Sequence, residues 1–586
     1  MAHSTGFRGL QRLFAVAQWA KARNIAADEA EAAWTAAGLD RRAVLRGMVG
    51  AAALAALPGG LSGCDDEGGS GGGDSAPGDS SLADGGVDQG QPAAVTVAIV
   101  GAGIAGLHCA YRLKNSGVAV QVFDAQDRVG GRMWTGRGLF PGDLHFEIGG
   151  ELIDSNHATM FALAEELGIQ LDDRFASERP GMVRETNVVN GARVTVATLL
   201  SQTMAVAEAF TAAYDAAEND DAAFEMLDNT SMAAWLAVNV PPATFPELHA
   251  VLTAAYVGEF GLEAAEQSIL NLLYLFGFDA EDEFRIFGES DERWHTHLGN
   301  DTFTTALADA IGPAAITQQA KLVKAAGPAG GPFTLTFERV ADGTRTDVTA
   351  AHIVFALPFS TLREVDLTEL ELSDNKRTTI AEMGYGTNAK VMGHFTSRPW
   401  WTVHNESGLL TTDRGVQQGW DSTIGQAGDG VVGIWTNFVG GTQGLRSGEG
   451  TAEAWFGGIL ADLEVIWPGC QAAWSGAAQR MHWPSFPWSK GSYTCYRPGQ
   501  WQFWSTEGVR EGNVHFCGEH CSVDFQGWME GAAETGGLVA DEVIGDLGLA
   551  QSKVAYPWRL RLARRQRDPR TGRVRWARRS RRLRQG

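Results

Sequence analysis

Apolar and polar positions along the chain fall into blocks of very different character. From Ala43 to Leu61 the residues are, Arg46 apart, small or apolar, and from Asp65 to Pro92 a Gly/Ser/Asp-rich stretch follows that cannot bury a core and reads as a flexible tether. Val95–Val100 is then apolar but for Thr96, as a parallel strand buried on both faces requires. Leu107, Ala110 and Leu113 recur at helical spacing, and VAVQVF, ending at Phe123, reads as a second strand. Much later, AHIVFALPFSTL (Ala351–Leu362) reads as strand and turn, and a helix is predicted from about Trp528 through Glu542. Strands alternating with helical patterns predict an α/β fold.

Composition narrows this picture. A chain of 586 residues is too long for one ordinary core, so two or three domains are expected. A hydrophobic share of 44% with 20% charged residues belongs to globular rather than disordered chains. The formal charge of -23 is uneven: Lys553–Gly586 holds fourteen Lys and Arg against Asp568 alone, so the remainder stands at -36. That acidic body disfavours nucleic-acid binding. The basic tail reads either as a solvated extension or as a segment for anionic lipid, nucleic acid or the protein's own acidic surface. Six cysteines (Cys64, Cys109, Cys470, Cys495, Cys517, Cys521) are too few and scattered for a disulfide scaffold.

Between the first two strands stand Gly101, Gly103 and Gly106 in GxGxxG spacing. Glycine at these positions permits the tight turn, close approach of a diphosphate, and packing of helix on strand. The following helix N-terminus offers amide donors and a favourable dipole for that diphosphate. Asp124, at the end of the second strand, lies at the distance expected of an acid that binds ribose hydroxyls. His108 and Cys109, on the helix between, read as core. Cys517, His520 and Cys521 fall within five residues, but their spacing fits no standard zinc pattern, so no metal is expected there.

Two further motifs carry a resemblance. Asp127-Arg128-Val129-Gly130-Gly131-Arg132 follows the second strand, and Phe516-Cys517-Gly518-Glu519 precedes Gly527-Trp528-Met529-Glu530-Gly531-Ala532. Together with the fingerprint these resemble the flavin amine oxidase superfamily, which includes monoamine and L-amino acid oxidases, over roughly residues 95–550. The resemblance implies a Rossmann-type FAD-binding domain interleaved with a substrate domain of mixed sheet plus helices. The FAD domain is expected from 95–180, 290–365 and 505–550, and the substrate domain from a helical part at 181–289 and a sheet at 366–504. Residues 1–64 (leader and signal), 65–94 (tether) and 551–586 (basic tail) lie outside both.

By the same resemblance, FAD is held by Gly101, Gly103, Ala105, Gly106, Asp124, Gly130, Gly131, Arg132, Gly149, Gly150, Ala320, Gly518, Glu519, Trp528 and Met529. Arg132 is expected to neutralise phosphate, Glu519 to contact the ribityl chain, and the Met529 amide to donate to the flavin's carbonyl end. Lys390, in TNAKVMGHF, corresponds to a lysine that holds water at flavin N5. Tyr493 and Trp528 correspond to an aromatic cage around the amine, suited to a dry pocket that favours its neutral form. Ser492 stands where monoamine oxidases carry a cysteine bonded to the flavin, so FAD is expected to be non-covalent. His295 and His297 resemble a metal pair only superficially.

The implied reaction is hydride transfer from the amine α-carbon to flavin N5, hydrolysis of the imine, and reoxidation by O2 to H2O2. Primary amines or polyamines are the expected substrates. Leu152 occupies the place where L-amino acid oxidases carry a carboxylate-binding arginine, which counts against a free amino acid unless an arginine from elsewhere, such as Arg363 or Arg497, supplies the grip. Asp154 matches a Glu or His of polyamine oxidases and, with Glu151, could make an acidic pocket mouth; equally, Asp154-Ser155-Asn156 could be a helix cap. An L-amino acid oxidase (one for basic amino acids included), a desaturase, and a flavin-binding surface lipoprotein without catalysis are the alternatives.

The N-terminal region suggests export. Arg41 and Arg42 precede the short apolar run, which resembles a twin-arginine signal with Val44 where Phe is usual; Leu45 and Arg46 are in keeping. Leu61-Ser62-Gly63-Cys64 resembles a lipobox, implying a lipid anchor on Cys64 in the bacterial cell envelope. A short anchoring helix with a chance cysteine is the other reading.

Overall fold

A computed structural model of the chain describes residues 93–280, 283–426, 432–504, 506–550, 556–557, 565–567 and 574–576. The leader, the paired arginines, Cys64 and the tether up to Pro92 therefore lie outside the described residues, as does most of the basic tail; the last two residues of the expected tether, Ala93 and Ala94, belong to the first strand. Within that tail, Arg565–Arg567 pairs antiparallel with Val574–Trp576.

The first of two large sheets is mixed. The strand Ala93–Val100 pairs in parallel with Val120–Phe123 on one side and with Arg345–Phe355 on the other. Val514–Phe516 adds in parallel to the end of Arg345–Phe355, and Ile316–Thr317 adds to Val120–Phe123. An antiparallel meander of Ala320–Ala326 and Phe333–Arg339 completes the sheet. Val97, Ala98 and Ile99 are fully buried, as the apolar run predicts. Because its central strands are parallel, their carboxyl ends (followed by Gly101, Asp124, Ala356 and Cys517) share one edge, where α/β sheets bind ligands.

Two helices cross one face of this sheet. The fingerprint helix, Ile104–Asn115, follows the first strand, and the closing helix, Met529–Asp546, follows the last. Close approach depends on glycine: a Cβ at Gly536 would lie 2.2 Å from the Ala105 carbonyl, and one at Gly106 would lie 2.0 Å from that of Gly101. His108 joins the same contact. Its Nδ1 lies 2.7 Å from the Ala533 carbonyl, and Arg112 Nε donates to its Nε2 at 2.9 Å, so the proton sits on Nδ1. Burial and the neighbouring Arg112 depress its pKa to about 3, keeping the ring neutral.

The second sheet runs in the order Trp474–His482, Ala389–Phe395, Gly433–Val439, Gln418–Asp421, Glu406–Thr412, Val183–Val189 and Ala192–Val194. All seven residues of Ala389–Phe395 are buried, which places Lys390 inside the protein rather than on its surface. Between the sheet strands of residues 183–194 and Ala389 lies a cluster of helices: Val196–Asn219, Asp221–Asp228, Met232–Asn239, Pro246–Phe260 and Ile269–Leu275. Their apolar faces form a separate core around Phe210, Leu252 and Leu272. Local capping explains several starts: Thr195, Asp220, Ser231 and Ser268 each accept an amide of the first turn.

The helix Ala158–Leu167 is capped differently. Asp154, Ser155 and Asn156 do not cap it; the N-cap is His157, without a side-chain bond. The buried carboxylate of Glu530, from the closing helix, instead accepts from the amides of Thr159 at 2.9 Å and Met160 at 2.8 Å. Two segments remote in sequence are thus locked by a cap that local pattern cannot reveal.

Candidate active site

The carboxyl edge of the first sheet opens into a cavity of about 430 Å³ that extends to the second sheet. Neither the fingerprint helix nor the closing helix has a side-chain cap, and the first residues of both line this cavity. Two sets of helix N-terminal amides and two positive dipole ends therefore face one space. A Cβ at Gly103 would meet nothing within 4 Å, whereas Gly101, at φ +111°, lies against the Ala356 carbonyl. One glycine leaves room for a ligand and the other makes the turn.

Of the fifteen residues expected to hold the cofactor, fourteen line the cavity. The exception is Gly106, whose missing side chain serves helix-on-strand packing. Asp124 accepts from the Ala102 amide at 2.7 Å and the Gln126 amide at 2.8 Å, which orients it at the strand end; burial raises its pKa despite these bonds. The cavity, its uncapped helix ends and the acid at the second strand fit a dinucleotide flavin.

Arg132 has partners within the protein. Its Nη1 donates to the Ser492 carbonyl at 2.8 Å and to Glu519 at 2.9 Å, and Glu519 also accepts from the Gly527 amide at 2.8 Å. Burial would raise the Glu519 carboxyl, but Arg132 and these bonds hold it below its ordinary value. The guanidinium thus joins the glycine loop, the Tyr493 segment and the downstream motif.

Lys390 is 4% exposed and donates to the carbonyls of Glu147 at 3.1 Å and Gly149 at 2.8 Å and to Glu151 at 2.8 Å. An ammonium has three protons, and all three have acceptors. Burial would push the Glu151 carboxyl up, but the Lys390 charge and hydrogen bond outweigh it and keep it ionised. Glu151 is consequently not a free acid at the cavity mouth. Nearby Glu147 accepts from the Asn300 amide and Thr135 Oγ1, and burial raises its pKa to about 8.

Asp154 corrects an expectation more completely. It is absent from the cavity wall, and Oδ1 accepts from Ser290 Oγ at 2.9 Å and the Glu292 amide at 2.8 Å. Glu292, held at φ +43°, does line the cavity. Asp154 therefore fixes the turn that presents another acid. Glu259, at the end of the helix Pro246–Phe260, also lines it, and its carbonyl accepts from the Tyr493 hydroxyl. Burial, then the Asp154 charge, raises Glu259 to about 7; burial, Asp154 and Glu259 raise Glu292 to about 8.

Tyr493 and Trp528 both line the cavity, with Gly527 against the Tyr493 ring and His157 packed edge-on to Trp528 at 5.4 Å. Trp420 and Phe438 add a second aromatic wall, their centroids 5.4 Å apart, and Lys390 Nζ lies 5.2 Å from the Trp420 ring. Sequence reasoning missed these two and both glutamates. The register Lys390↔Phe438 and Gln418↔Phe438, which brings the aromatics to Lys390, has no local signature.

The downstream cysteines disperse. Cys517 packs beneath the fingerprint helix, while Cys521 joins the core around Phe355 and Phe516. Buried His520 packs on Phe359, with ring centroids 4.5 Å apart. His297 pairs with Asp172 at 2.7 Å and His295 with the Thr296 carbonyl. Arg363 donates to the carbonyls of Phe359 and Met383, and Arg497 pairs with Glu266; neither lines the cavity.

Fold and cavity define a flavoprotein of mixed α/β architecture. The chain belongs to the family described as flavin containing amine oxidoreductase, whose sequence pattern matches residues 104–544, and it is accordingly a flavin-dependent oxidoreductase. It is 26% identical over 475 residues to an L-amino acid dehydrogenase of Synechocystis sp. (76% of this chain, 94% of the relative). It is 43% identical to a putrescine oxidase of Kocuria rosea over 81 residues, 14% of this chain and 16% of that one. Cyclohexylamine oxidase from Brevibacterium oxydans superposes with a TM-score of 0.65 at 24% identity, covering 78% of this chain and 99% of the other.

The Lys390–Glu151 pair yields a stability prediction. Lys390→Met leaves Glu151 buried without its counter-charge and should cost about 3–5 kcal/mol. Lys390→Met combined with Glu151→Leu should recover most of that loss. Urea unfolding of both variants measures the difference, and equal losses would show that the cost does not come from a stranded Glu151 charge.

Proposed function

We propose that this chain oxidises primary amines or polyamines and favours substrates with a second positive charge. The observation that carries this reading is the pair Glu259 and Glu292 in the cavity wall on the Tyr493 side. Among the described residues, the cations in that wall are Arg132, Lys321, Lys390 and Lys490. Arg132 is joined to Glu519, Lys390 to Glu151 and Lys490 to Glu364; Lys321 belongs to the strand whose first residue, Ala320, donates to the Asp124 carbonyl. A substrate carboxylate near Tyr493 thus finds acids, while an ammonium finds charge complementarity. A basic L-amino acid would suit the glutamates through its side chain yet leave its carboxylate ungripped.

In this reading Tyr493, Trp528, Trp420 and Phe438 orient the amine and exclude water, so that its lone pair is available and proximity supplies much of the rate. Lys390 positions a water by exchanging one of its three protein acceptors. Glu259 and Glu292 hold the distal ammonium, with Asp154 fixing Glu292. Bound FAD supplies the hydride acceptor and passes the electrons to O2. We propose that FAD is held without a covalent bond: Ser492 lines the cavity and donates to Asn388 at 2.5 Å, while buried Cys495 is not among the lining residues.

The glutamates also set a pH dependence. Below their raised pKa values they hold protons, and a distal ammonium favours the ionised forms, so binding a dication expels protons. Affinity for a short aliphatic diamine should therefore improve as pH rises through 7 to 8, beyond the dependence shown by a monoamine of equal length. Glu292→Gln should raise the diamine KM about tenfold, a loss of ~1.4 kcal/mol, and spare the monoamine. Steady-state kinetics on the two substrates decide; equal effects on both would remove the distal site.

Acid precipitation should release all FAD into the supernatant, and yellow colour retained in the pellet would contradict non-covalent binding. We also propose export by the twin-arginine route and a lipid anchor on Cys64. Cys64→Ala should move the protein from the detergent phase to the aqueous phase in a phase-partition assay, and unchanged partitioning would overturn the anchor.

A further inference from the structure

Away from the cavity, at the far end of the closing helix, two histidines meet two carboxylates. His352 lies in the strand Arg345–Phe355 and His515 in its neighbour Val514–Phe516; both are buried. His352 Nδ1 and His515 Nε2 are 3.3 Å apart, and Asp546 Oδ2 lies 4.0 Å from His515 Nε2. Each of the three side chains offers an atom within 4.8 Å of the other two. Asp546 ends the closing helix, about 25 Å along it from Met529. None of the three lines the cavity.

We propose that His352, His515 and Asp546 bind one zinc ion. Two nitrogens on a tetrahedral zinc, each at about 2.0–2.1 Å, stand about 3.3 Å apart, the spacing already present between the rings. Asp546 is exposed at the helix end and closes the remaining gap by rotating its side chain, which leaves a fourth position for water. His515 is set for the role: its Nδ1 donates to Glu542 at 2.9 Å, so its Nε2 carries a lone pair directed at His352. A carboxylate behind a ligating imidazole is the usual outer support of such a centre. Glu542 and Asp546 lie one helical turn apart, and the negative end of the helix dipole adds to the attraction for a cation.

Without metal, the proton on His352 Nδ1 bridges to His515 Nε2. Zinc takes the place of that bridge and the His352 proton moves to Nε2, so two neutral imidazoles bind the ion with no net release of protons. Arg510 opposes binding, since it donates to the Asp546 carboxylate and must release it. The ion would fasten two strands of the first sheet to the closing helix, at the end opposite the uncapped amides.

The test uses the full-length, flavin-loaded protein, free of any affinity tag, stripped by a chelator and titrated calorimetrically with zinc chloride. One equivalent should bind, with no net proton release when the heats are compared across buffers. Asp546→Asn and His352→Gln should weaken binding at least a hundredfold, and Glu542→Gln by about 10–100-fold. Arg510→Gln should tighten it by freeing the carboxylate. Flavin content, measured by absorbance, confirms that each variant is folded, and exposed Asp546 and Arg510 keep the test usable if His352→Gln is not. No binding by the wild-type chain, or equal affinity in Asp546→Asn, would overturn the site.

Discussion

Two helices that begin more than 400 residues apart in sequence, at Ile104 and Met529, leave their first amides without side-chain caps and direct them into one cavity. Buried unpaired amides are costly, so this arrangement is stable when an acceptor-rich ligand occupies the space. Much of the nearby structure follows from bringing these ends together. Gly106 and Gly536 let the helices and turn approach, His108 ties one helix to a carbonyl of the other, and Glu530 caps the helix that starts at Ala158. A flavin-binding family assignment agrees with this preference for a ligand rich in phosphate and carbonyl oxygen.

The second sheet contributes chemistry through one buried ion pair. Lys390 in the second sheet and Glu151, just after Gly149 and Gly150, neutralise each other, and the same lysine draws in the carbonyls of Glu147 and Gly149. A charge this deeply buried needs a partner, so the second sheet is held to the Gly149–Glu151 segment at the cavity by electrostatics as well as packing. The acids left for a substrate are then Glu259 and Glu292, whose carboxyls burial and neighbouring acids raise; Arg174, which donates to the Glu292 carbonyl, offsets this only in part.

The motifs that could be read in the chain are those whose chemistry lies in a short stretch. Gly101, Gly103 and Gly106 answer to a strand, a turn and a helix within a dozen residues, and Glu519 and Trp528 to a similar unit downstream. Asp154 shows the limit. Its sequence neighbourhood suits either a cap or a pocket acid, and in the fold it does neither, holding the Ser290–Glu292 turn instead. Glu259, Trp420 and Phe438 stand in stretches with no motif, and only strand register and the docking of a helix end bring them to Lys390 and Tyr493.

The sequence by itself determined an α/β fold with a dinucleotide fingerprint, because glycine conformation and apolar periodicity are local properties, and its resemblance to flavin amine oxidases implied the flavin and the second motif near residue 520. Tertiary structure alone decided which charges remain available in the cavity. Burial and pairing act between residues far apart in the chain, and these neutralise Glu151, withdraw Asp154 and present Glu259 and Glu292.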